Sequence, residues 1–487
     1  MGGIVSFGGY VPRYRITRMN IVQNMAWYFP VIMAVAGGEK AVANWDEDAI
    51  SMAVAAGWNC MAGRDRKKID SVYLASTTLP FADRLNAGIV AAALNVPENG
   101  TMHADFGACI KAGTTAMIAG LEAIASGKRG NVLVAASDLR RTKMATMLEM
   151  FYGDGAAAVL LGNKDVAAEF IDSYSISCDF IDHYKGYGKE FDYNWEERWV
   201  RDEGYGKIIP EAIRAFLKKT NLTIGDFAKI IYPCYFTGTH KQIAKELGIE
   251  PARLQSNLHD GIGDTGTAHP LLMLVDALED AKPGDKILLA SFGQGCDVLG
   301  FAVTDKITAL KASHGIRAAS RQKVDIGSYQ KFIKFRDLIE ADLGIRGEAN
   351  PNTSLTVLWR KHKMILGMEG AKCKKCRTVQ FPAQPICANP DCGSMEFEPY
   401  EFADKAGDIA MFTGDLLSPS VDPPAVYGMV EFKGGGRTML DFTDCNLNQL
   451  KVGMKVRMSF RRRYTDSMRG FTGYFWKAVP QVQDGEV

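Results

Sequence analysis

Short apolar runs, Val72 to Ala75, Val132 to Ala136 and Ala157 to Leu161, alternate along the chain with stretches whose apolar residues recur at helical spacing. This alternation predicts an α/β domain over residues 1 to about 305. The run Gly113 to Ser126 (GTTAMIAGLEAIAS) predicts a helix that ends in a glycine turn before the strand NVLVAAS. From Thr304 to about Gly370 the chain turns basic and helical (QKFIKFRDLIEADLG) without strand signals, as in a linker. Beyond it, VYGMVEFKGGGRTMLDF, KVRMSFRRR and FTGYFWKAV predict a small β-barrel.

A weak internal repeat supports this division. AI(x)3KRGNVLVAAS, ending at Ser137, matches AL(x)3KPGDKILLAS, ending at Ser291, and each copy reads as a helix, a glycine turn and a buried strand. The offset carries Cys109 onto Gly263, at the head of GDTGTAHPLLMLVDAL, so two halves packed about a pseudo-dyad would set these two helix starts face to face. Between the copies, Ile181 to Gly206 is aromatic, charged and poorly periodic, which marks a long insertion. It suits either a surface or subunit contact or a wall of a substrate pocket.

Composition narrows the function classes. Fifty-seven Lys and Arg balance 56 Asp and Glu, so no global field draws the 487-residue chain to nucleic acid or an anionic membrane. The start, MGGIVSFGGYVPRYRI, lacks the features of a secretory signal, and no apolar run reaches transmembrane length, so a cytoplasmic location is expected. Four of ten cysteines, Cys373, Cys376, Cys387 and Cys392, crowd into twenty positions, a spacing that points to metal rather than disulfides.

Cys109 lies in DFGACIKAGTTAM, a turn followed at once by an apolar helix. A sulfur at a helix N-terminus is expected to favour thiolate, and a thiolate attacks a thioester carbonyl in a nearly isoenergetic exchange. Taken alone, a lone cysteine in an apolar window is more often a buried core residue. The ACIKAGTTAM segment, GDGAAAVLLG (Gly153 to Gly162) and SFGQG (Ser291 to Gly295) together resemble the three motifs of the thiolase superfamily. The nearest resemblance is to the branch of 3-hydroxy-3-methylglutaryl-CoA synthase and the initiating ketoacyl-ACP synthases.

The resemblance implies a duplicated αβαβα fold, with halves at 1–170 and 171–305, a helical linker at 306–370, a zinc ribbon at 371–398 and an OB-type barrel at 399–487. It also implies a homodimer, possibly joined by further thiolase-type subunits, an acyl-CoA substrate, acylation of Cys109, and an oxyanion hole from the Cys109 backbone N–H and the turn Gly293 to Gly295. GDGAAAVLLG is expected to serve only as a tight turn into a buried strand.

Two positions depart from the synthase pattern. The family's general acid/base Glu is expected in ASTTLPFADR, where Thr77 stands, and its His in IIYPCYFTG, where Pro233 or Cys234 stands. An enolate still needs a base. The repeat places His269 of GDTGTAHP opposite Cys109, and its His-Pro pair is similar to the Gly-His-Pro of biosynthetic thiolases. Asp264 occupies the usual Asn position; His240 and then Cys234 rank behind these two.

Cys373-Lys-Lys-Cys376 and Cys387-Ala-Asn-Pro-Asp-Cys392 form two knuckles able to close a four-thiolate structural Zn²⁺ site, or iron in a rubredoxin-like variant. Ribbon and barrel together resemble the zinc-ribbon and OB-fold proteins that accompany thiolase-superfamily enzymes. That resemblance suggests a domain that cradles CoA or bridges subunits, with Lys374, Lys375 and Arg377 near CoA phosphates. The basic FRRR (Phe460 to Arg463) leaves single-stranded nucleic acid as an alternative ligand, set aside on the near-zero net charge.

Three functions remain open. An aldol-type synthase or lyase would leave a tertiary hydroxyl, a Claisen-type enzyme would make or cleave a β-ketone, and a non-catalytic acyl-CoA scaffold would not be acylated.

Overall fold

A computed structural model describes residues 2–310, 316–317, 322–342 and 354–481. Parts of the 306–370 linker and the last six positions of the expected barrel lie outside the described residues. The chain divides into two compact units, one of residues 1–43, 48–91 and 96–338, the other of 44–47, 92–95 and 339–487.

The first unit begins with β1 (Gly3–Tyr10), β2 (Tyr14–Thr17), α1 (Arg18–Met25), β3 (Glu39–Val42), α2 (Ala49–Cys60), β4 (Ser71–Ala75) and α3 (Asn86–Ala93). Next come β5 (Met102–Phe106), α4 (Ala112–Ala125), β6 (Asn131–Asp138), α5 (Met147–Phe151) and β7 (Gly155–Gly162). After β8 (Ala168–Ser177) come the short β9 (His183–Tyr184) and β10 (Tyr193–Asn194), α6 (Glu197–Trp199), α7 (Gly206–Thr220), β11 (Lys229–Ile231) and α8 (Thr237–Glu246). The series closes with α9 (His269–Asp280), β12 (Lys286–Phe292) and β13 (Gly295–Val303).

Nine strands pair in the order β11-β12-β13-β8-β1-β7-β6-β4-β5. The two half-sheets meet only where Gly3 and Ile4 of β1 pair with Glu169 and Ala168 of β8. Such a narrow seam lets one half fold back on the other. Helices α4 and α9 lie between them: α4 packs on β4, β6 and β7 but also on β13, while α9 packs on β1 and β7 but also on β11 and β12. Their buried faces, Ala116, Met117 and Leu121 of α4 and Leu271, Leu272 and Val275 of α9, form one core with both half-sheets. A second core joins Ile209, Ile213 and Phe216 of α7 to Ile230, Leu288 and Val298. With α2 on β1, β6 and β7 and α7 on β8, β12 and β13, the layering is αβαβα.

The two repeat copies take corresponding places in the sheet, β6 beside β7 and β12 beside β13, but their connections differ. Sixteen residues including α5 (139–154) separate β6 from β7, whereas Gly293 and Gln294 alone join β12 to β13. As the offset required, the two central helix starts meet: a Cβ on Gly113 would fall 2.8 Å from the Thr267 carbonyl oxygen.

In the linker, helices cover Leu355–Arg360 and His362–Gly367, while the run QKFIKFRDLIEADLG is helical only at its start. A helix covers Tyr329–Phe335 and stops there, because Asp337 takes a left-handed conformation (φ 53°) and Leu338 N–H bonds back to Ile333 O. A short β14 (Val324–Asp325), unannounced by the sequence pattern, pairs with β2.

In the second unit, β15 (Glu369–Cys373), β16 (Val379–Gln380) and β17 (Phe397–Glu401) make a three-stranded ribbon. Strands β18 (Gly407–Asp415), β19 (Ala425–Phe432), β20 (Arg437–Asp441), β21 (Lys455–Asp466) and β22 (Phe471–Pro480) form a sheet in the order β20-β19-β18-β21-β22. A bridge from Phe442 to Ala478 ties its ends, as in an OB-type barrel. Arg461, the first arginine of the basic FRRR run, is 1% exposed and paired with Asp46, Glu47 and Asp444 of the same unit. It is therefore a core cation with no face for nucleic acid.

Candidate functional site

Cys109 stands on the turn between β5 and α4, and its sulfur is half-buried. Ala108 before it takes a left-handed conformation (φ 71°), which a non-glycine residue adopts only when its surroundings impose it. The Lys111 backbone N–H donates to the Cys109 sulfur, and the Ala112 N–H donates to the Cys109 carbonyl at 3.2 Å. The thiolate expected at this helix start meets opposing fields. Burial pushes the thiol up from its ordinary value, Lys111 opposes this, and Asp297 and Asp182 reinforce it.

The glycine turn lies against this segment. Gln294 (φ 50°) and Gly295 (φ 118°) carry it through the left-handed region, and a Cβ on Gly295 would stand 2.0 Å from the Ile176 carbonyl oxygen. A Cβ on Gly293 would reach 2.7 Å from the Lys111 nitrogen. The Gly293 N–H donates to Gly295 O at 3.0 Å, so it is spent within the turn and is not the free oxyanion donor expected of it.

Thr77, expected at the position of the family's Glu, faces a carboxylate. Asp138 Oδ1 accepts from Thr77 N (2.7 Å), Thr77 Oγ1 (3.1 Å), Ser76 Oγ (2.9 Å) and Thr78 Oγ1 (3.0 Å), while Oδ2 accepts from Thr267 N (2.8 Å). Asp138 is fully buried at the end of β6.

Asp264 is held by backbone bonds between its N–H and Phe151 O (2.7 Å) and between its carbonyl and Gly153 N (2.9 Å). Its Oδ1 accepts from Gly266 N at 2.9 Å, and its Oδ2 lies 4.0 Å from Arg140. Arg140 also bonds Asp192 Oδ2 at 2.8 Å and the Tyr152 hydroxyl, with its guanidinium 3.6 Å above the Tyr152 ring. Asp192 comes from the Ile181 to Gly206 insertion, and Lys185 from the same insertion donates to Thr77 O at 3.2 Å. The insertion thus reaches the residues around Thr77 and Asp264. Tyr235, next to Cys234, packs its ring 5.3 Å from Phe151.

The histidines lie differently from their sequence-level roles. His269 Nε2 is 2.9 Å from the Asn257 carbonyl, which can only accept, so Nε2 carries the proton; Nδ1 then accepts from Thr265 N (3.3 Å) and Oγ1 (3.2 Å). Burial lowers its pKa. Both nitrogens are therefore engaged by the protein, and the expected free base at His269 is corrected to a neutral ring that fastens the start of α9. His240 on α8 stacks on Tyr232 at 4.7 Å, and its buried Nε2 has no hydrogen-bond partner among the described residues. Burial lowers its pKa to about 4. Cys234 is buried, donates to Phe236 O at 3.6 Å, and its thiol is pushed up to about 12 by burial, which disfavours the thiolate.

In the second unit, the sulfurs of Cys373, Cys376, Cys387 and Cys392 all lie within 4.8 Å of one another, with 3.7 Å between Cys373 and Cys392 and 3.4 Å between Cys376 and Cys387. Four thiolates about 2.3 Å from one zinc ion would be roughly 3.8 Å apart, so the donor set fits a closed structural site. Lys374 and Lys375 are exposed, and Arg377 pairs with Glu398 at 2.8 Å.

Arg140, Tyr152, Asp138 and Asp192 escaped the sequence reading. Only Asp138 carried a local signal, a lone acid ending an apolar strand.

Comparison with known proteins places these features. Residues 217–304 match the family described as 3-oxoacyl-[acyl-carrier-protein] synthase III C terminal, 369–398 the ChsH2 rubredoxin-like zinc ribbon domain, and 408–461 the ChsH2 C-terminal OB-fold domain. The chain is 34% identical over 315 residues to a hydroxymethylglutaryl-CoA synthase of Aeropyrum pernix, covering 63% of this chain and 87% of that protein. It is 31% identical over 343 residues to the enzyme of the same name from Methanopyrus kandleri, covering 68% and 97%. Among solved structures, MvaS in complex with 3-hydroxy-3-methylglutaryl coenzyme A is similar with a TM-score of 0.62 at 19% identity, over 72% of this chain and 94% of that one. The first unit has a thiolase-like fold, and the second joins a zinc ribbon to an OB-fold.

Proposed function

Because the chain belongs to the hydroxymethylglutaryl-CoA synthase family, we propose that it makes or breaks a carbon–carbon bond beside an acyl-CoA thioester, as an acyltransferase acting through Cys109. The observation that carries this reading is the placement of the Cys109 sulfur at the mouth of α4, with a backbone N–H directed at it and the glycine turn alongside. Cys109 attacks the thioester carbonyl, the C–S bond to CoA breaks, and the thiol proton passes to the departing CoA sulfur. The acyl group then sits on Cys109.

In the synthetic direction, a base removes a proton from the carbon next to that carbonyl, and the resulting enolate adds to an acceptor ketone whose alkoxide takes up a proton to leave a tertiary hydroxyl. Water then cleaves the thioester to Cys109, releasing a carboxylate and restoring the thiol. Of His269, His240 and Asp264, the proposed base is Asp264, because its Oδ2 accepts no backbone hydrogen bond among the described residues while both nitrogens of His269 are engaged. Arg140 would hold the carboxylate in place. His269 would set the start of α9, and His240 would act only by turning its unpartnered Nε2 toward substrate. Cys109 N–H remains the proposed oxyanion donor, with Gly295 in place of Gly293. The halves 1–170 and 171–305, a homodimer and a cytoplasmic location belong to the same reading. Zinc, when bound, supplies a structural cross-link in the ribbon and no chemistry at Cys109.

Intact-protein mass spectrometry after incubation with a series of acyl-CoAs is the test. A mass gain of one acyl group on the wild type, absent from Cys109→Ala, is expected, with a tertiary alcohol as the product of turnover. An adduct retained by Cys109→Ala would refute the assignment. A protein that binds acyl-CoA yet never becomes acylated would be a scaffold, and a β-ketone product would mark Claisen chemistry.

A further inference from the structure

Lys111 reaches the nucleophile from one end and a buried acid from the other. Its backbone N–H donates to the Cys109 sulfur, while its Nζ lies 2.9 Å from Asp297 Oδ1. Both side chains are buried, Asp297 at 1% and Lys111 at 8% exposure. The second oxygen of Asp297 accepts from Thr114 Oγ1 at 3.1 Å and Thr115 Oγ1 at 2.7 Å, both in the first turn of α4. Asp297 belongs to β13, two residues beyond Gly295, and Gly293 at the other side of that turn lies against the Lys111 nitrogen.

We propose that Lys111 and Asp297 are a positioning couple for Cys109, which locks the nucleophile's turn onto the glycine turn and sets a fixed positive charge beside the sulfur. The idea rests on Cys109 being the nucleophile. A pair kept only for packing could have stood anywhere along the α4–β13 contact. This one stands within two residues of the sulfur on one side and of the glycine turn on the other. The charged groups acting on the sulfur come from three elements: Lys111 from the turn before α4, Asp297 from β13 and Asp182 from the insertion. Lys111 favours the thiolate and the two acids oppose it, so neutralising members of the couple must move the thiol in opposite directions.

The full-length protein is alkylated with iodoacetamide across a pH series, and modification is read by mass spectrometry on the peptide holding Cys109, so that the other cysteines do not count. Lys111→Met is expected to displace the profile to higher pH, slowing alkylation about tenfold at neutral pH for one unit of displacement, while Lys111→Arg stays within about twofold of wild type. Asp297→Asn keeps partners for Thr114 and Thr115 and is expected to displace the profile to lower pH; it carries the test should Lys111→Met fail to fold. In turnover assays Lys111→Met should lower kcat with little change in KM. Profiles that coincide with wild type in the folded variants, or that move the same way in both, would overturn the proposal. Alkylation needs no acyl-CoA, so a protein whose Cys109 answers to Lys111 but is never acylated would retire the proposed function and leave this couple standing.

Discussion

Thr77, the residue expected where synthases keep a glutamate, donates its hydroxyl to Asp138 Oδ1 at 3.1 Å, a carboxylate buried on the neighbouring strand. Four groups donate to that single oxygen, and Thr267 N donates to the other. Thr77 thus stands in a network closed around Asp138. Thr77→Glu is expected to set a second carboxylate against Asp138 and to destabilise the fold by about 2 kcal/mol without adding synthase activity. Asp138→Asn, which turns one acceptor into a donor facing donors, is expected to lose about 2–3 kcal/mol. Urea unfolding measures both; a Thr77→Glu variant as stable as wild type would show that the network tolerates a second acid.

The insertion is tied to the site by Asp192 on Arg140. Removing one partner of a buried ion pair leaves an uncompensated charge, worth about 3–5 kcal/mol where burial is complete. Asp192→Ala is therefore expected to loosen residues 181–206 and expose them to limited proteolysis, with turnover falling more than the melting temperature. If cleavage patterns match those of wild type, the insertion is held by its aromatic contacts instead, such as Phe180 on Trp199 at 5.2 Å.

Acid stability should depend on His240. Its folded pKa, about 4, lies below the ordinary histidine value of 6.5, so the unfolded chain binds the proton more readily. The stability contributed by the neutral ring is present above pH 6.5 and is lost as pH falls toward 4. With residual solvent screening this amounts to about 2 kcal/mol. His240→Phe, with no titrating group, is expected to lose less stability than wild type over that window, and parallel curves would contradict the assignment.

Metal removal should act on the second unit alone. Cys376→Ser or a strong chelator is expected to release one zinc per chain, measured by elemental analysis, and to unfold the ribbon, since binding to four thiolates is itself folding free energy of about 10 kcal/mol. Acylation of Cys109 provides the control. Loss of structure in the ribbon without metal release would mean that the cysteines are not the ligands.

Strands β4, β6 and β7, helix α4 and the two cysteine knuckles were legible because each depends on residues close together in the chain: a run of apolar side chains, a glycine turn, a pair of thiols three or five positions apart. Linker periodicity misled for the opposite reason. It continued past Phe335, but Asp337 had already turned left-handed and ended the helix. His269 was found by its place in the repeat, and nothing near it in sequence announced that Asn257 and Thr265 would take both its nitrogens.

Local patterning was enough to specify the alternating α/β half, the cysteine that begins its central helix and the metal knuckles, because helix and strand periods and turn chemistry act over a few residues. Pairing at longer range belonged to the folded chain. Lys111 and Asp297 are 186 positions apart, Arg140 and Asp192 are 52, and each pair meets only once the half-sheets close around α4 and α9. Which charges a buried sulfur or carboxylate feels is set by that closure, since field and desolvation depend on distance through space and not along the backbone.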